Sequence, residues 1–186
     1  MKNQITKITM FIALMIITAF GAGAQSPKSI GIRYSIGADF GLPTGDLSDN
    51  YKWSLGGSLQ SDIPLVDVLY ATINAGYVNI FTDKSVSTLT SDIHLIPVKV
   101  GLKYFPAPNL YLQGEAGASF LLDHKTYADH SIAFVYAPQI GYTIPLAGKS
   151  GLDVGLRYEV NSKFYEGGNS HSYLGLRLAY AFGIGR

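Results

Sequence analysis

The chain has 186 residues, with 14 basic and 13 acidic side chains and a formal net charge of +1. That balance excludes the basic footprint of a nucleic-acid-binding protein, and the lack of cysteine excludes disulfides, thiolate metal sites, cysteine nucleophiles and a lipidated N-terminal cysteine. Charged residues are 15% of the chain, against roughly 25% in soluble domains, while Gly (21) and Tyr (13) are abundant, which suits a surface facing lipid.

Residues 1–7 carry Lys2 and Lys7 and no acid. Residues 8–20 form an apolar run, and Ala22-Gly23-Ala24 supplies small residues at the cleavage positions. This is the layout of a secretory signal peptide. The run is shorter than the ~20 residues of a spanning helix. Two domains are expected: residues 1–24 as a cleaved signal peptide and residues 25–186 as one folded domain. Cleavage after Ala24 leaves 12 basic and 13 acidic residues.

The rest of the chain alternates with a period of two, the signature of strands. Residues 30–42 place Ile30, Ile32, Tyr34, Ile36, Ala38, Phe40 and Leu42 on one face, with Gly31, Arg33, Ser35, Gly37, Asp39 and Gly41 on the other. Further strands are predicted over 51–61, 69–81, 93–105, 109–121 and 132–144. Residues 152–161 set Leu152, Val154, Leu156, Tyr158 and Val160 against Asp153, Gly155, Arg157, Glu159 and Asn161. The last segment sets Ser172, Leu174, Leu176, Leu178, Tyr180 and Phe182 against His171, Tyr173, Gly175, Arg177, Ala179 and Ala181. Eight strands near the ~9–11 residues of a tilted membrane strand predict an antiparallel barrel with both termini on the periplasmic side. Closure is required because an open edge in lipid leaves backbone groups unpaired, at several kcal/mol each. Outer loops are expected near 42–50, 82–92, 122–131 and 161–170, and shorter, proline-containing periplasmic links near 62–68, 106–108 and 145–149.

Four segments share one form: Gly31-Ile32-Arg33-Tyr34, Gly101-Leu102-Lys103-Tyr104, Gly155-Leu156-Arg157-Tyr158 and Gly175-Leu176-Arg177-Leu178. In a strand the glycine and the cation share a face. A charge on the lipid face near the midplane costs ~2–4 kcal/mol, so the cations should point inward. The expected lumen network is Arg33, Asp39, Lys99, Lys103, Glu115, Asp153, Arg157, Glu159 and Arg177, with Ser35, Thr72, Asn74, Gln113 and Gln139. An eight-stranded interior is just wide enough for side chains to fill, so this network should close the lumen. The alternative is that Arg33, Arg157, Arg177, Glu115 and Glu159 line a small ion path.

Aromatic belts mark membrane interfaces. Tyr70, Tyr104, Phe105, Tyr111, Tyr142, Tyr180 and Phe182 are expected near the periplasmic ends, and Phe40, Tyr51, Trp53, Tyr77, Phe81, Phe120 and Phe134 near the outer ends. Two features resist. Pro97 and Pro138 fall inside strands and predict a bulge beside each. Ile93 and Leu95 fall on the lumen face although they are apolar.

The mature chain resembles the small outer-membrane β-barrel domain common in Bacteroidetes-type bacteria, and more loosely the OmpA/OmpX-type eight-stranded barrels. The resemblance covers roughly residues 28–186. It rests on Gly41-Leu42-Pro43-Thr44-Gly45-Asp46, on Ile96-Pro97-Val98-Lys99-Val100-Gly101-Leu102-Lys103-Tyr104-Phe105, and on the final strand. There Tyr173, Gly175, Leu178, Tyr180 and Phe182 look like the signal read by the barrel-insertion machinery, although Gly183-Ile184-Gly185-Arg186 follow the aromatic at which relatives often stop. The resemblance implies an outer-membrane location and no single activity. The periplasmic peptidoglycan-binding domain of OmpA-type proteins is not expected.

Candidate chemistry is sparse. Asp123, His124, Asp129 and His130 fall in the third outer loop and offer carboxylates and imidazoles for a metal or other ligand; a solvated loop is the simpler expectation. His130-Ser131 and His171-Ser172 suggest the base and nucleophile of barrel lipases and lipid A deacylases. Neighbours on a strand point to opposite faces, which separates each pair. No cofactor is expected. The expectation is a non-enzymatic integral outer-membrane barrel that contacts outer-membrane lipid, the insertion machinery during assembly, and an unknown extracellular or envelope partner through its loops. The rivals are a lipid-modifying enzyme, a small pore, and a soluble lipocalin-like carrier, whose faces would be reversed.

Overall fold

The computed structural model describes residues 31–83, 92–122, 132–162 and 170–184. Eight antiparallel strands follow one another in chain order: β1 (Ile32–Thr44), β2 (Tyr51–Val66), β3 (Leu69–Thr82), β4 (Ile93–Ala107), β5 (Leu110–Leu121), β6 (Ile132–Pro145), β7 (Ser150–Asn161) and β8 (His171–Ile184). Each pairs with its sequence neighbours, and β1 pairs with β8 to close the barrel. The expected signal peptide, and Asp123, His124, Asp129 and His130, lie outside the described residues.

The alternation that defined the strands decides the two faces. On β7, Asp153, Arg157, Glu159 and Asn161 are buried while Leu152, Leu156 and Tyr158 are exposed. On β4, Lys99 and Lys103 are buried while Val98, Val100 and Leu102 are exposed. The exterior is therefore an apolar band and the interior polar. This is the reverse of a soluble carrier and the pattern of a barrel in lipid.

The strands run 12–16 residues, longer than expected. The segment read as the 62–68 link belongs mostly to β2, which continues to Val66 and turns at Asp67–Val68. Asp62 therefore lies in the ladder, opposite Arg33 and Thr72. Likewise β4 continues to Ala107 and turns at Pro108–Asn109. Asn109 there adopts φ 68°, a left-handed conformation that Asn tolerates better than most residues.

The bulges fall elsewhere than expected. The register shifts at Pro64/Val66 and between Tyr104 and Ala107, a span that includes Pro106. At Pro97 it does not shift: the β3–β4 ladder is interrupted opposite Gly76 and Tyr77 and resumes in the same register at Val78–Leu95. At Pro138 the β6–β7 ladder is likewise interrupted between Tyr136–Val160 and Gln139–Arg157. Each proline keeps its pairing to the other neighbour, Ser119 or Gly114. A residue without an N–H can thus be housed by omitting a rung instead of inserting a residue.

The apolar Ile93 and Leu95 also find a reason. Leu95 is buried with Leu47, Val78, Ile80 and Ala133 inside the outer end of the barrel, and Tyr51, Ile93 and Leu121 pack against them. Leu47 arrives from a short 3-10 helix, Gly45–Asp49, that follows β1. The expected loop at 42–50 is therefore ordered, and it folds an apolar side chain over the lumen. Tyr51, assigned to the outer girdle, belongs to this cluster.

Candidate functional site: the interior network

With Asp62 added, five cations (Arg33, Lys99, Lys103, Arg157, Arg177) and five carboxylates (Asp39, Asp62, Glu115, Asp153, Glu159) sit at inward-facing positions. The equality matters because an unpaired buried charge costs several kcal/mol.

The outer half of the network centres on Lys99 and Arg157. The Lys99 ammonium donates to Glu159 and lies 3.8 Å from Glu115. Arg157 donates through Nη2 to Asp39 Oδ1 at 2.7 Å, and its Nε is 3.7 Å from Glu159. The Tyr173 hydroxyl donates to the second oxygen of Glu159. Arg177, 1% exposed, donates to Ser58 and Ser35 at 3.0 Å each and stands 4.0 Å from Asp39. Thr72 donates to Glu115 at 3.2 Å.

The inner half centres on Lys103, whose ammonium bridges Asp153 at 2.8 Å and Asp62 at 3.2 Å. It also lies 4.0 Å from the centroid of the Tyr111 ring, a cation–π distance. Tyr111 donates to Asp153 and accepts from Gln139 at 2.7 Å. Gln60 donates to Asp62 at 2.6 Å and accepts from Asn74 at 3.1 Å. Tyr70 and Phe105 close this layer, edge to face at 5.6 Å.

Eight of the nine expected network charges are thus drawn into ion pairs. Arg33 stands apart: it is half-buried at the inner mouth and makes no ion pair among the described residues. The expectation missed Asp62, Tyr111, Tyr173 and Tyr70. Tyr70, Phe105 and Tyr111 are corrected from girdle to lumen, while Tyr104, Tyr142 and Tyr180 are exposed on the lipid face as expected. Within the expected insertion signal, Tyr173 and Gly175 face inward, whereas Leu178 and Tyr180 face lipid. The Phe182 ring lies 6.2 Å from Tyr34 and 6.1 Å from Tyr180. β8 runs on past Phe182, with Ile184 opposite Ile32.

The glycines of the repeated segment make room for this interior. A Cβ at Gly155 would run into Gln139 Nε2 and come within 2.6 Å of the Tyr111 hydroxyl; one at Gly175 would be 3.1 Å from Arg157 Cγ. Gly155→Leu is therefore expected to destabilise the barrel by about 1–3 kcal/mol through overpacking. Urea titration of the folded fraction, read by gel mobility, measures it; a midpoint equal to that of the unaltered protein would contradict this account of the motif.

The His171-Ser172 pair is separated. Ser172 meets Thr44 Oγ1 at 3.0 Å, while His171 takes the inward parity and is partly buried. Among the described residues no group of His, Asp and Glu is arranged to hold a metal.

A closed eight-stranded antiparallel sheet with a charged interior and an apolar exterior defines a transmembrane β-barrel of the outer-membrane type. Solved structures agree on that fold. The chain is similar to the outer membrane protein AlkL (16% identity, 89% of this chain and 95% of that one, TM-score 0.55). It is similar to OprG from Pseudomonas aeruginosa (10% identity, 84% and 97% covered, TM-score 0.54). It is also similar to Ail, the attachment invasion locus protein of Yersinia pestis (16% identity, 82% and 99% covered, TM-score 0.50). No protein-family profile and no curated protein matches the chain. The protein is thus a small eight-stranded barrel of the kind found in bacterial outer membranes.

Proposed function

We propose that this protein is a non-catalytic outer-membrane barrel with a structural or binding role, its lumen closed by the charged network and its specificity carried by the outer loops. The observation that carries the reading is the pairing of Lys99, Lys103 and Arg157 with carboxylates of other strands across the interior. Ion pairs that cross the lumen from β4 to β7 and from β7 to β1, strands that are not neighbours in the sheet, fill an eight-stranded interior. Leu47 and the apolar cluster at the outer end support the same reading. Its partners would be outer-membrane lipid, the insertion machinery that reads β8, and an extracellular or envelope molecule at the loops.

Planar-bilayer recording separates this from the pore reading. The refolded barrel is expected to give no steady discrete conductance; reproducible ohmic steps, lost in a variant with an added lumen plug, would overturn it. Mass analysis of lipid A from cells with and without the protein separates it from the enzyme reading, with unchanged acylation expected.

A further inference from the structure

The lipid-facing surface is uneven at its outer end. At that end β1, β7 and β8 present Thr44, Tyr158 and Ser172, β5 and β6 present Phe120, Phe134 and Tyr136, and β2–β4 bring aromatic rings together with an amide, an imidazole and an ammonium. The Trp53 and Phe81 rings stack at 4.2 Å between centroids. The Tyr77 and His94 rings stack at 6.0 Å, with the Tyr77 hydroxyl 2.6 Å from His94 Nδ1. Asn79 stands between them at outward parity, opposite Leu55 and His94. Lys52 occupies the bulge between Tyr51 and Trp53. Its side chain is 67% exposed even while its ammonium lies 3.8 Å from Asp83. One row toward the periplasm the surface becomes small: Ala38 pairs with Gly57, and Gly57 with Tyr77. A Cβ at Gly57 would meet only the Gly37 carbonyl oxygen, at 3.5 Å.

We propose that this face holds one phosphorylated glycolipid of the outer leaflet, of the lipid A type. A membrane lipid bound at this depth presents its headgroup to the outer rim and its chains to the apolar band below. The exposed Lys52 ammonium complements a phosphate. Trp53 and Tyr77 keep exposed ring surface, against which the C–H face of a hexosamine packs, and such amphipathic rings favour an interface. The exposed Tyr77 hydroxyl–His94 pair presents a polar edge to sugar hydroxyl or amide groups. The low surface at Ala38 and Gly57 leads toward a recess over Ile36, Leu59, Ile73 and Ala75, which receives an acyl chain. The face lies on the barrel wall, so this site is independent of what the outer loops bind and of whether the lumen conducts.

The test is native mass spectrometry of the whole barrel released from detergent containing equal amounts of purified lipid A and a phosphatidylethanolamine. The barrel is expected to retain one lipid A in preference to the phospholipid. The Trp53→Ala/His94→Ala variant should lose at least about fivefold of that retention, as expected for one ring contact and one polar contact. Gly57→Leu, which fills the open space leading to the recess, should weaken it as well. Phe134→Ala, at an exposed aromatic of β6, should leave retention unchanged. Heat-shifted gel mobility confirms that each variant is folded. Equal retention of phospholipid, equal retention by the double variant, or an equal loss in Phe134→Ala would overturn the proposal. Dimers without bound lipid would overturn it too, in favour of a second copy of the chain on this face.

Discussion

Lys99→Met is expected to cost the barrel about 3–5 kcal/mol, the range for removing one partner of a buried ion pair. Lys99 is enclosed, and the carboxylates facing it come from β5 and β7. Methionine fills much of the volume but leaves Glu115 and Glu159 without their shared cation in a low-dielectric interior. Arg157 still faces Glu159 at 3.7 Å, so Glu115 loses more. Adding Glu115→Gln should recover part of the loss, because an amide is less costly to bury than an unpaired carboxylate. The check is the urea midpoint of the folded band for the single and double variants. A midpoint that does not move in Lys99→Met would mean that water, rather than the cation, solvates those carboxylates.

The second large effect concerns the exterior. Val100 is 60% exposed near the middle of β4, opposite Ile73 and Ala116. Val100→Arg is expected to destabilise the barrel in lipid vesicles by about 2–4 kcal/mol, the cost of a cation at the bilayer midplane. The same change near the rim should cost less, since the penalty falls toward the interface. Equilibrium unfolding from vesicles measures both. A surface valine in water would tolerate arginine within about 0.5 kcal/mol. A neutral Val100→Arg would therefore contradict the membrane assignment itself.

Much of this architecture is legible because the strands of a barrel in lipid alternate with period two away from their bulges. Asp153, Arg157 and Glu159 share a parity, so their burial followed from the apolar Leu152, Leu156 and Tyr158 between them. The errors came where a second criterion displaced parity. Tyr111 shares a face with Gln113 and Glu115, and Tyr70 with Thr72 and Asn74, so both belong inside; grouping aromatics by height along the barrel put them in the girdle instead. Asp62 was lost because nearby Pro64 read as a link, although it continues the inward row of Ser58 and Gln60. The inward Leu95 was read correctly but lacked a partner, because Leu47 approaches from outside the strands. Which charges meet could not be read from alternation. Lys99 reaches Glu159, 60 positions away, only because strand tilt and stagger bring β4 and β7 side chains to one height across the lumen.

The central claim is a closed barrel inserted in the outer membrane, and the most direct test is gel mobility of the membrane-extracted protein, unboiled and boiled, after separating inner from outer membranes. The protein is expected in the outer-membrane fraction, with the unboiled sample migrating as a distinct compact band that converts on heating to the position of the unfolded 186-residue chain or its processed form. A protein that remains in the soluble fraction and migrates identically before and after boiling would contradict it.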